Sequence, residues 1–130
     1  MYRAWKAGKG PHAPQVMPTS TSASSIGVAL PRDRIKALRA IQDSGGEFVL
    51  VNDLQIFQAV IELARNGGVF AEPGAAAAYA GLLQWGTLLP HETAVVLVTG
   101  SGLKDIGGLL RSGVLEAPGG AISQPAPALD

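Results

Sequence analysis

Three short apolar runs constrain this chain more than any other feature. EFVLV (47–51), GVFA (68–71) and TAVVLV (93–98) each have the length and composition of a buried strand, and helix-forming sequence lies before or between them. The first helix is predicted near 32–43: Pro31 suits a helix start, Ile35, Leu38 and Ile41 recur at three-residue steps, and Gly45-Gly46 supplies the stop. Asn52 or Asp53 can cap a second, in which Ile56, Phe57, Val60, Ile61 and Ala64 share a face before Gly67-Gly68 ends it. After the turn Glu72-Pro73-Gly74, AAAAYAGLLQW is strongly helix-forming and carries small residues suited to close packing against a sheet. Such alternation specifies an α/β fold, a partial three-layer parallel sheet with flanking helices and right-handed crossovers.

Around this core the composition changes. Residues 1–30 form a loop-rich segment containing KGPHAPQVMPTSTSASS, 31–106 form the α/β core layer, and 107–130 read as a disordered Gly/Pro/Ala-rich tail with room for a short helical turn near Leu109. A chain of 130 residues holds one modest domain and buries roughly two thirds of its unfolded surface. Its ten basic and ten acidic side chains cancel, so it lacks the footprint expected of a nucleic-acid or anionic-membrane partner. Without cysteine it has no disulfide framework, thiolate chemistry or thiolate metal site. Its apolar runs fall far short of the roughly 20 residues that cross a bilayer, and its start has no apolar signal core, so a cytoplasmic location is expected.

Ligands of open α/β sheets bind beyond the carboxyl ends of the strands. Two strand ends here carry unusual chemistry, Phe70-Ala71-Glu72-Pro73 and Val98-Thr99-Gly100-Ser101-Gly102, and a parallel layer would bring both to one edge. Each also has a plainer reading. Glu72 can be a helix-entry carboxylate on the following helix dipole. Thr99 can satisfy its own turn, with TGSG a flexible connection. No Walker-type spacing surrounds TGSG, so it is a poor phosphate loop. Lys104 and Asp105 read as a local ion pair or solvated surface. His12 and His91 have no partner at a ligand spacing, and Ser20, Ser22, Ser24 and Ser25 read as loop or as the lining of a site.

The order of these pieces resembles a known family. PTSTSASSIGVALPRDRIKALRAIQDSGGEFVLVND, GGVFAEPGAAAAYAGL and AVVLVTGSGLKD are similar, over residues 2–106, to the carboxyl-terminal third of threonine synthases, pyridoxal-phosphate enzymes of the tryptophan-synthase-beta or fold-type II class. The sharpest matches are Glu-Pro with its small residues at 72–78 and TGSGLKD at 99–105; related dehydratases and cysteine synthases are expected to end this strand with serine. MYRAWKAGK also looks like the family helix before the loop.

The resemblance implies that Thr99 gives the pyridine nitrogen of the cofactor a neutral hydroxyl and that Gly100 and Gly102 let the backbone approach the ring. It places the segment Thr21–Ser25, with Ala23 and Ser24, beside the cofactor and Glu72 at the border of the same pocket. The implied reaction converts O-phosphohomoserine and water to threonine and phosphate. The family's Schiff-base lysine and its phosphate loop match nothing here: Lys6, Lys9, Lys36 and Lys104 stand in other contexts. No catalytic residue is therefore assigned within this chain, which is expected to carry one wall of an active site, to be inactive alone, and to need a complementing amino-terminal chain or to self-associate. A non-catalytic interaction module and a piece of another fold-type II enzyme, such as threonine dehydratase or diaminopropionate lyase, are the competing readings.

Overall fold

The computed structural model describes residues 1–10, 12, 16–86 and 88–114. Among the described residues five helices run in chain order: α1 (Tyr2–Lys6), α2 (Arg34–Ser44), α3 (Asp53–Gly67), α4 (Pro73–Trp85) and α5 (Ile106–Arg111), with 3₁₀ turns at Ser24–Ile26 and Gly102–Lys104. The helix signals in the sequence act where they stand. Gly45 and Gly68 close α2 and α3 in the left-handed conformation, φ 66° and 65°, where a Cβ would be strained. Asn52 caps α3 in a reciprocal box, its Oδ1 accepting from the Gln55 amide and the Gln55 Oε1 from its own, both at 2.9 Å. Pro73 opens α4 at a position where a missing N–H costs nothing.

The core is the seam between α3 and α4. Ile56, Phe57, Ala59 and Val60 of α3 meet Ala75, Ala76 and Ala80 of α4, with Ala23, Ala71 and Leu109 closing the cluster. Short side chains on α4 let the two helices approach, so larger apolar groups on α3 fill the space between them. Tyr79 adds a polar tie, its hydroxyl donating to Glu62 Oε1 at 2.9 Å; that bond to a carboxylate raises the phenol's pKa. Leu109 is fully buried, so the core reaches past residue 106 into α5, and Val114 packs against it. The remainder of the tail, 115–130, lies outside the described residues.

The expected parallel sheet does not form among the described residues. Segments 47–51 and 93–98 have no regular structure and no strand partner, and the strand pairing among the described residues is one antiparallel bridge, Ala71 to Ser101. A strand is a relation between two segments: a run with strand composition has nowhere to send its N–H and C=O groups until a neighbour lies alongside. The small face of α4, expected against a sheet, meets α3 instead. Its other side, Ala77, Ala78 and Gly81, lines an open cleft of about 840 Å³ with Trp5, Val49 and Trp85. Apolar side chains of the unpaired segments stand in solvent, Val95 82% exposed, Leu97 72% and Leu50 61%.

Candidate functional site

The amino terminus of α4 is where the predicted site residues meet. Residues 70–72 and 100–102 are clamped by two backbone hydrogen bonds, Glu72 N to Gly100 O at 3.0 Å and Gly102 N to Phe70 O at 2.8 Å. The Glu72 carboxylate lies directly over the Gly100 Cα, and a Cβ at 100 would fall inside it. Gly102 is buried beneath the Phe70 ring in the same way. Both glycines are therefore required by close approach to side chains of this chain. In extended backbone successive side chains alternate. With positions 100 and 102 turned onto Glu72 and Phe70, positions 99 and 101 are left to the open side, and Thr99 and Ser101 are both exposed.

Glu72 is partly buried and faces one cation: Lys104 Nζ stands 3.9 Å from its Oε2, with side-chain exposures of 68% and 14%. The sequence leaves Lys104 and Asp105 as a local ion pair or solvated surface. Asp105 instead caps α5, its Oδ1 accepting from the Gly108 amide at 3.0 Å. The 3₁₀ turn GLK carries Lys104 back over α4, which sequence spacing alone does not reveal.

The Thr/Ser loop arrives from the other side. Ala23 is fully buried in the core cluster, Ser24 is exposed, and Ser25 sits against Gly74 in the first turn of α4, where a Cβ would collide with its hydroxyl. The fold thus joins Glu72 to Gly100 by contact and the Ala23–Ser25 turn to the same helix end through Gly74. One participant was missed. Thr21 Oγ1 donates to Asp53 Oδ1 and the Ser22 amide to Asp53 Oδ2, both at 2.6 Å. The Ser22 amide and then the Thr21 hydroxyl hold the Asp53 carboxyl below its usual pKa. The available signal was the pair Asn52-Asp53: two capping residues stood where a helix needs one.

Lys36 pairs with Asp33 on the exposed face of α2 at 4.0 Å, and Lys104 is engaged with Glu72. No group of three or more His, Cys, Asp or Glu able to hold a metal is found among the described residues, and no helix among them is long and apolar enough to cross a membrane.

A profile of pyridoxal-phosphate dependent enzymes matches residues 1–100. The chain belongs to this family. It is similar to the threonine synthase of Synechocystis sp., 44% identical over 86 residues that make up 65% of this chain and 22% of that protein. The threonine synthase of Methanosarcina acetivorans is 39% identical over 106 residues, 79% of this chain and 26% of that protein, and that of Methanocaldococcus jannaschii 40% over 95 residues, 71% and 24%. The chain spans 22–26% of the length of these relatives.

Family membership implies pyridoxal phosphate as cofactor, and the site can be tested for fit. Glycines that draw the 100–102 backbone down onto Glu72 and Phe70, while Thr99 keeps an exposed hydroxyl, make a wall able to present one neutral hydrogen-bonding group to a flat ring. The residues present fit one side of the group.

Proposed function

We propose that this chain forms the carboxyl-terminal wall of a threonine synthase active site, in which O-phosphohomoserine and water become threonine and phosphate. The observation that carries the reading is the TGSGLKD loop closed over the amino terminus of α4, with Gly100 against Glu72 and Thr99 left exposed, in a chain similar to threonine synthases. The cofactor, when bound, supplies the electron sink that makes a proton next to the substrate nitrogen removable.

This chain's residues do quieter work. Thr99 would offer the ring nitrogen a neutral hydroxyl, Gly100 and Gly102 would set how close the backbone comes, and Glu72, tied to Lys104, holds the turn that carries them. Ala23 and Ser24 form the adjoining border. The amine that attacks the cofactor and the loop that holds its phosphate come from the rest of the fold, on the same polypeptide or on a second one. There the segments 47–51 and 93–98 enter a parallel sheet, which places their exposed apolar side chains under cover.

The test is Thr99→Val beside Thr99→Ser in the assembled enzyme. Loss of one hydrogen bond in the site lowers phosphate release from O-phosphohomoserine by about tenfold and shifts the cofactor's visible absorbance, while serine keeps both near their starting values. A valine variant with unchanged spectrum and rate overturns the assignment. This chain alone releases no phosphate.

A further inference from the structure

The loop that brings Ala23 and Ser24 to the end of α4 has no regular structure to hold it. Just before its 3₁₀ turn the side-chain hydrogen bonds of Thr21, Ser22 and Ala23 lead to one place. Asp53 Oδ2 takes the Ser22 amide, Oδ1 takes the Thr21 hydroxyl, and the Thr21 Oγ1 in turn accepts the Ala23 amide at 3.1 Å. Three consecutive loop residues, thirty or more positions away in the chain, are thus organised by a single carboxylate on the first residue of α3. The helix does not need that carboxylate for its own cap, because Asn52 and Gln55 already form the box.

We propose that Asp53 is a positioning residue of the active site, a latch that sets the Thr21–Ser25 loop against the first turn of α4. The role rests on the reading that this helix end faces the cofactor. Asp53 acts through its neighbours. Two short charge-assisted bonds fix Thr21 and Ser22, the relay through Thr21 fixes Ala23, and burial of Ala23 then determines where Ser24 and Ser25 stand relative to Gly74. The latch and the Glu72–Gly100 contact sit at the starts of α3 and α4, the two helices that share the core seam. The relative position of the two borders is therefore set by the packing of the core seam.

The experiment is amide hydrogen exchange on the 130-residue chain without cofactor, for the wild type and for Asp53→Ala, Thr21→Val and Thr21→Ser. Asp53→Ala speeds exchange at Ser22 and Ala23 by roughly tenfold or more, Thr21→Val does so at Ala23, Thr21→Ser leaves both slow, and amides in the middle of α4 keep their protection throughout. Unchanged exchange at Ser22 in Asp53→Ala overturns the latch. If that variant fails to fold, Thr21→Val, which leaves α3 untouched, decides on the Ala23 amide alone. In the assembled enzyme Asp53→Ala releases pyridoxal phosphate about tenfold more readily. A freed loop with unaltered cofactor retention overturns the positioning role, and leaves the cofactor reading to the Thr99 variants.

Discussion

At position 53 one carboxylate is held by an amide and a hydroxyl from a loop, and both bonds favour its charged form. The folded-state pKa therefore lies below the unfolded value of about 3.9. A lowered carboxylate pKa contributes stability that is fully present above the unfolded value and is lost as pH falls through the folded one. The Ser22 amide proton resonance should titrate with a midpoint below the ordinary carboxylate value. A midpoint at or above the ordinary carboxylate range would show that the bonds are absent in solution. Gly100 illustrates a different economy at the same scale. Its missing Cβ gives Glu72 a place to lie, so the residue that looks like loop punctuation is a packing residue.

The helices are where the sequence was most legible. Each of α2, α3 and α4 is announced by a stop glycine, a cap or an opening proline, together with a three-to-four-residue apolar step, all of which act within one or two turns. Asn52→Ala removes half of the capping box and should lower stability by about 1 kcal/mol. The denaturant midpoint should fall with the slope unchanged; an unmoved midpoint would mean that the box contributes nothing. The strands were legible only as composition. EFVLV and TAVVLV have the residues of a buried strand, but pairing needs a second segment, and the sequence of one segment does not hold its neighbour. The site was legible to the same extent. Glu72 and Gly100 stand out in the sequence because each follows an apolar run, whereas the Asp53–Thr21 bond and the Lys104–Glu72 pair join positions about thirty residues apart and leave no local pattern.

For the whole molecule the consequence of unpaired segments is exposed apolar surface. Val95, Leu97 and Leu50 give the isolated chain apolar surface that a folded monomer normally covers. The isolated chain should enhance the fluorescence of an apolar-surface dye and grow in apparent size with concentration. A dye-silent monomer at every concentration would contradict this. The clamp between 70–72 and 100–102 has a consequence of another kind. Both ends of the stretch that runs through α4 and on to Val98 are fastened at one place, so the stretch is a closed loop with pinned feet. Lengthening such a loop costs only about 0.6 kcal/mol for each doubling. The turn at Leu89–Glu92 is thus a joint at which the chain can gain or lose residues while Gly100 stays in register with Glu72, insulated from the length of the road that leads to it.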